Sequence, residues 1–266
     1  MKRSLLILCL LAGVTAGFAG GRTQMGAQVP SSPETQSLNL VASIPWVAGF
    51  AFLAGAEEVR VLAPYEMRHP PEYEIRPSDL VAVGEAEVVL YAGYERMAER
   101  LLEASENTTA VRVQVTTTHT REMLTSGVRA IAQALGTQEV AEKNLEQLLA
   151  FFDSWQAEMA AMGLDSSPVV AHVFQQQMLE DLGVRVVGTF GPGPVEPAKI
   201  AELVGFQPVL VVDNWHNEVA GGLSEVLPEV PVVSFVNSPG HEGTRTLPEV
   251  FRYNRDLLTK VWAERR

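Results

Sequence analysis

The longest regular pattern of hydrophobic positions in the chain runs from residue 137 to residue 164. Its apolar residues recur at alternating intervals of four and three, which places them in one stripe along an α-helix. At ~1.5 Å per residue this helix would be on the order of 40 Å long, well beyond the usual length. Thr137 and Gly163 stand where the two helix caps are expected. The stripe consists of Ala141, Leu145, Leu148, Phe152, Trp155, Met159 and Met162.

A coiled-coil dimer would show a similar stripe, but the flanking sequence favours a different interpretation. On each side lies a block of similar size in which short apolar runs alternate with helical patterns, and this alternation predicts mostly parallel sheets. We therefore expect an α/β fold of two lobes, each a mostly parallel sheet flanked by helices, joined by one long rigid helix. The N-terminal lobe is predicted at 38–119, the connecting helices at 120–164 and the C-terminal lobe at 165–266.

The N-terminal segment has the order of features found in an export signal. Lys2 and Arg3 precede an apolar run at 5–14, and small residues follow it. Residues 1–19 are therefore predicted to be a signal peptide, either cleaved or kept as an anchor, and residues 20–37 a flexible leader. The protein is accordingly expected in the periplasm or another extracytoplasmic space.

Composition and charge narrow the possible partners. Apolar residues make up 47% of the chain and charged residues 20%, an ordinary globular composition that argues against widespread disorder. The formal net charge of −12 argues against nucleic acid, whose phosphates require a basic surface. The single cysteine, Cys9, lies in the predicted signal, so the mature chain would have neither a disulfide nor a thiolate metal ligand.

All five histidines fall at or just after the end of a predicted strand. In mostly parallel sheets these positions meet at one edge, where such folds bind ligands. Neutral imidazole is the commonest metal ligand in proteins, and three or four imidazoles suit a borderline cation such as Zn²⁺. The alternative is a set of unrelated surface histidines. The five are His69, His119, His172, His216 and His241.

The segment Asp-Asn-Trp-His-Asn at 213–217 is the strongest local candidate. It places His216 in the first loop after a fully apolar strand, with the Asp213 carboxylate close by as a supporting group. The alternative is a turn in which the Asp and Asn side chains satisfy local backbone groups and His216 is exposed. His241 lies in a glycine-rich loop that suits either a reserve ligand or a mobile lid.

Residues 72–79 read Glu-Tyr-Glu-Ile-Arg-Pro-Ser-Asp, and they stand ahead of an apolar run that ends in Gly-x-Glu at 93–95. Together with the long helix, these segments resemble the metal-binding solute-binding proteins of bacterial ABC transporters for zinc, manganese and iron, which carry a Tyr-Glu-x-x-Pro-Ser-Asp segment. Residues 86–95 are similar to its apolar strand followed by Gly-x-Glu, although Glu95 is expected to brace the loops rather than bind metal. The long helix matches the helix that connects the lobes in the family, and residues 251–254 resemble its C-terminal helix.

The resemblance also implies where the ligands lie. His119 and His172 match the second and third ligand positions of the family, whereas His69 lies two residues upstream of the first, which is occupied here by Pro71. Asn237 stands in the loop that often carries an aspartate ligand. His216 is expected to complete the set. The predicted metal ligands are His69, His119, His172 and His216, with Asp213, Asn237 and His241 as supporting or reserve groups.

The sequence therefore predicts an exported, non-enzymatic, monomeric solute-binding protein that captures a divalent transition metal ion between its lobes. Zn²⁺ is expected first, with Mn²⁺ or Fe²⁺ as alternatives, and the cargo would pass to an ABC permease, the only contact with the membrane. One alternative is a long-helix binding protein for a siderophore, haem or corrinoid, which the segment 196–203 would also suit. The other is a metal-dependent hydrolase, although no His-Glu-x-x-His pair fixes two ligands on one helix.

Overall fold

The structure is a computed structural model that describes residues 38–104 and 109–265. The predicted signal peptide and leader lie outside these residues, and the predicted lobe boundaries stay predictions. Among the described helices, none is both long and apolar enough to cross a membrane.

The N-terminal lobe is built on a four-stranded parallel sheet with the order β2-β1-β3-β4. Its central strand is apolar and buried on both faces, as expected of a parallel strand covered by helices. The strands are β1 (Leu40–Ala42), β2 (Arg60–Val61), β3 (Val88–Tyr91) and β4 (Val111–Gln114). Three helices accompany them, α1 (Pro45–Leu53), α2 (Pro77–Glu85) and α3 (Arg96–Ala104).

Two helices then lead to the second lobe, α4 (Arg121–Leu135) and α5 (Gln138–Ala161). Helix α5 is 24 residues long and is the predicted connecting helix, although it ends three residues before the predicted limit. Its apolar stripe is buried from Ala141 to Met159, and Gly163 adopts the left-handed conformation just beyond the C-cap, as its position predicts.

The C-terminal lobe repeats the plan with a second four-stranded parallel sheet, in the order β6-β5-β7-β8. Its strands are β5 (Val169–His172), β6 (Val186–Phe190), β7 (Leu210–Asn214) and β8 (Val232–Phe235). Its helices are α6 (Val173–Asp181), α7 (Pro197–Gly205), α8 (Gly221–Val226) and α9 (Leu247–Glu264). The two-lobed α/β fold predicted from the sequence is therefore confirmed.

The two lobes are joined by a continuous apolar core. From α5, the Phe152 ring meets the Phe251 ring of α9 edge-on at 5.0 Å, and Trp155 packs against Phe235 of β8 at 6.1 Å. The same cluster of buried residues reaches into the N-terminal sheet at Leu40. The buried face of the long helix is therefore part of the core that the two lobes share.

Helices α8 and α2 each depend on a local contact. Helix α8 was not predicted, because Gly221 and Gly222 are poor helix formers. It packs where it does because Gly222 allows the close approach of Ile200, whose side chain a Cβ would meet at 2.7 Å. Helix α2 begins at Pro77, so Asp79 caps it from inside the first turn by accepting the N–H of Arg76.

Candidate functional site

A cavity of about 830 Å³ lies at the carboxyl ends of both sheets. Each of the eight described strands is followed, within a short loop, by at least one lining residue, as expected for the ligand site of parallel sheets. In the N-terminal lobe these residues include Ile44, Arg68, Tyr94 and Thr117. In the C-terminal lobe they include Val173, Pro192, His216 and Asn237.

Three of the five histidines line this cavity: His69 and His119 from the N-terminal lobe and His216 from the C-terminal lobe. A charge on His216 would lower the pKa of His119, and a charge on His69 would lower that of His216. Within the described residues, however, no three His, Cys, Asp or Glu side chains are arranged closely enough to hold a metal ion. The cavity thus gathers imidazoles from both lobes, and the full ligand set stays a prediction.

His119 follows β4 and is buried, with 5% of its surface exposed. Its Nε2 accepts a hydrogen bond from Nε1 of Trp46 at 2.6 Å, and its ring meets Phe251 edge-on at 4.8 Å. Burial lowers the pKa of His119 to about 3 because the charged ring would lose its hydration. The ring is therefore neutral at physiological pH, which metal binding requires.

His216 lies in a short 3-10 helix, Trp215–Asn217, directly after β7. Its Nδ1 is 2.8 Å from the carbonyl oxygen of Arg68 in the other lobe, and because a carbonyl only accepts, Nδ1 carries the ring proton. Nε2 is then the free acceptor and receives only a long bond from the N–H of Ser238 at 3.3 Å. Burial lowers the pKa of His216 to about 4, so this ring is also neutral, in a tautomer suited to a metal at Nε2.

His172 is buried and is the N-cap of α6, where its Nδ1 accepts the N–H of Phe174 at 3.1 Å. Its Nε2 has no hydrogen-bond partner among the described residues. That atom faces Gly191, where any Cβ would overlap the ring. The structure therefore places His172 behind the loop that follows β6 rather than on the cavity wall, and its role as a ligand stays a prediction that requires this loop to move.

The three predicted supporting groups have separate environments. Both oxygens of the Asp213 carboxylate are used within its own loop, where they accept backbone N–H groups of Asn214, Val219 and Ala220. Asp213 thus fixes the loop that carries His216, as in the alternative interpretation, but His216 is partly buried on the cavity wall rather than exposed. Asn237 is buried on the cavity wall, and its side-chain oxygen accepts a hydrogen bond from Gln175. His241 does not line the cavity, and its ring forms a hydrogen bond with the hydroxyl of Tyr253.

Several residues of the site were not found from the sequence, among them Trp46, Arg68, Tyr94 and Phe174. Tyr94 and Phe174 are 50% and 55% exposed, and each belongs to a different lobe. Arg68 crosses between the lobes by donating to the carbonyl of Trp215 at 2.9 Å and to Glu218 at 2.9 Å. The only signal in the sequence was their position, since each lies within the loop, or the first helical turn, that follows a predicted strand.

No protein-family model matches the sequence, and no curated protein matches it. Solved structures do match. The solute-binding protein FpvC of Pseudomonas aeruginosa, solved with Ni²⁺, is 18% identical with a TM-score of 0.60 over 84% of this chain and 96% of that one. The laminin-binding protein Lbp of Streptococcus pyogenes is 14% identical with a TM-score of 0.65 over 87% and 100%.

A third structure, the Mn-bound periplasmic metal-binding protein of Candidatus Liberibacter asiaticus, is 11% identical with a TM-score of 0.61 over 84% of this chain and 98% of that one. At these identities the likeness concerns the fold. The chain therefore has the two-lobed fold of the metal-binding solute-binding proteins, over nearly the full length of each.

Proposed function

We propose that this chain is an exported solute-binding protein that captures a divalent transition metal ion between its lobes and delivers it to an ABC permease. The observation that carries the proposal is the lining of one cavity by imidazoles from both lobes, at the edge where parallel sheets bind ligands. Solved proteins of the same fold that hold Ni²⁺ or Mn²⁺ support it.

Zn²⁺ is the ion that these donors favour. His69, His119 and His216 offer imidazole nitrogen, which suits zinc, whereas manganese prefers carboxylate and water oxygens. We assign His172 as the fourth ligand, which Zn²⁺ would recruit if the loop at 190–194 swings away from the ring.

Release follows from the same geometry. Helix α5 limits the lobes to small movements, so the ligands separate through loop rearrangement rather than a wide opening. The bond from His216 to the carbonyl of Arg68 crosses between the lobes and orients one ligand through the other lobe. A permease that parts these two loops would turn His216 and weaken its hold on the ion, with no covalent bond made or broken.

Calorimetric titration of chelator-stripped protein with Zn²⁺, Mn²⁺ and Fe²⁺ tests the proposal. His119→Ala and His216→Ala should each weaken Zn²⁺ binding by at least about 10-fold, since even a lost outer partner of a metal ligand costs 10- to 100-fold. His241→Ala, outside the lining, is the matched control and should bind as the unaltered protein does. Equal affinity in all four proteins would exclude this ligand set.

The size of the cavity favours a second candidate, a larger ligand such as a siderophore, haem or corrinoid. At about 830 Å³ the cavity is in the range of small-molecule sites and far exceeds a single ion. Trp46, Tyr94 and Phe174 add aromatic surface, and Arg68 adds a cationic group.

An absorbance titration with haem, a corrinoid and a ferric siderophore tests this second candidate. The double variant Tyr94→Ala, Phe174→Ala separates the two, because it should weaken an organic ligand that stacks on the rings and leave Zn²⁺ affinity unchanged. If none of the three compounds binds while Zn²⁺ does, the larger-ligand function is wrong.

A further inference from the structure

One hydrogen bond in the cavity occupies the lone pair that a metal at His119 needs. The indole Nε1 of Trp46 donates to Nε2 of His119 at 2.6 Å. A neutral imidazole has one acceptor nitrogen, and the indole group is a donor only. Nε2 is therefore engaged, Nδ1 carries the proton, and in this arrangement neither nitrogen of His119 is free to bind an ion.

The packing around the pair shows which partner has room to move. The His119 ring is buried between the tilted ring of Trp46, 5.0 Å away, and the edge of Phe251, 4.8 Å away. Trp46 is partly buried, lies in the first turn of α1 and lines the cavity. His119 is thus fixed by the core, whereas the indole can turn into the cavity.

We propose that Trp46 is the gate residue of the metal site: its indole N–H holds the lone pair of His119 in the empty protein and swings away when the ion enters. This inference rests on the proposed function and identifies a residue that sets its affinity. Breaking the bond opposes binding, so the gate keeps the site weaker and more readily emptied than its imidazoles alone would make it.

Trp46→Phe tests the gate because it removes the N–H donor and keeps an aromatic ring, although a smaller one. Without the bond to break, Zn²⁺ should bind about 2- to 10-fold more tightly, the range for one net hydrogen bond. Trp262→Phe, outside the lining, is the matched control and should leave the affinity unchanged. Calorimetric titration measures both.

A second measurement follows the unaltered protein and needs the variant only to assign one signal. The chain has four tryptophans, so ¹⁵N-indole labelling gives four N–H signals in its NMR spectrum, and the one missing in Trp46→Phe is assigned to Trp46. Zn²⁺, which is diamagnetic, should move this signal and speed its exchange with solvent as the bond to His119 breaks.

The outcomes separate this inference from the function on which it rests. Zn²⁺ binding to the unaltered protein with an unmoved Trp46 signal, or with equal affinity in Trp46→Phe, would refute the gate and leave the metal carrier intact. If Zn²⁺, Mn²⁺ and Fe²⁺ bind to neither protein, both proposals fail together.

Discussion

His119 and His216 are neutral because the protein removes them from water, and this makes the stability of the fold depend on pH. The pKa of His119 is about 3 and that of His216 about 4 in the folded chain, against about 6.5 when unfolded. Below pH 6.5 the unfolded chain takes up protons that the folded chain cannot. The free energy of unfolding therefore keeps its full value above pH 6.5 and decreases as the pH falls toward 4.

We expect each of these rings to lower the free energy of unfolding by about 1.4 kcal/mol per pH unit in that window. His119→Gln is the matched variant, because its amide oxygen can still accept from Trp46 and does not titrate. Urea denaturation at pH 7.5, 6.0 and 5.0 should show a shallower loss of stability in this variant. Parallel curves for the two proteins would mean that His119 does not stay neutral in the folded chain.

The sequence predicted which residues lie near the site better than it predicted their orientation. The position of His216 after an apolar strand placed it at the sheet edge, and the structure finds it there. The direction of the His172 ring depends on its bond to Phe174 and on the space above Gly191, neither of which spacing reveals. The bond between Trp46 and His119 joins residues 73 positions apart, and no local pattern marks it.

At the scale of the elements, buried polar side chains hold the loops that form the cavity. The Glu95 carboxylate accepts from Ser43 Oγ at 2.6 Å and from the N–H groups of Ala92 and Gly93, so it joins the ends of β1 and β3. On α9, Asn254 pairs with both the N–H and the carbonyl of Val236, at 2.8 Å each. The family-like segment at 86–95 thus acts as a brace, which agrees with the role expected for Glu95.

Helix α5 was predictable because its apolar stripe spans residues 141–162, which is long enough for the helical period to be clear. Strand β2, two residues long, and α8, six residues long, are too short for any period to show. Their positions depend instead on the strands and side chains against which they pack. Long elements were therefore found with nearly correct ends, whereas α8 was missed.

Ala150 offers a direct test of α5 as a rigid connection, since it is exposed and lies in the middle of the helix. Ala150→Gly should cost about 1 kcal/mol of stability and Ala150→Pro about 3 kcal/mol or more, because proline removes a backbone hydrogen bond and clashes with the preceding turn. Only the proline variant should also weaken Zn²⁺ binding, since it bends the connection between the proposed ligands of the two lobes. Urea denaturation and calorimetry measure the two effects.

If Ala150→Pro lowers stability yet binds Zn²⁺ as tightly as Ala150→Gly, the site does not depend on a straight connection. Ligands supplied by one lobe alone would then be the better description. The glycine variant controls for the loss of the alanine side chain, so the comparison isolates the bend.

At the scale of the whole molecule, one apolar core links the lobes, and this makes them unfold together. Leu40 of the first sheet, Trp155 of α5 and Phe235 of the second sheet belong to the same cluster of buried side chains. An independent lobe would need its own closed core and a polar face toward the other. We therefore expect one cooperative thermal transition, seen alike by far-UV circular dichroism and by tryptophan fluorescence.

A ligand that bridges two lobes sharing one core stabilises the whole unit, and the expected shift can be calculated. Zn²⁺ at 100 times its dissociation constant adds about 2.7 kcal/mol to the folded state. For a chain of this size that corresponds to a rise in Tm of about 5 to 10 °C. His216→Ala, measured at the same Zn²⁺ concentration, should lose about half of the rise or more, where each rise is taken from the metal-free Tm of the same protein. Two separate transitions, of which Zn²⁺ raises only one, would show instead that the ion is held within a single lobe.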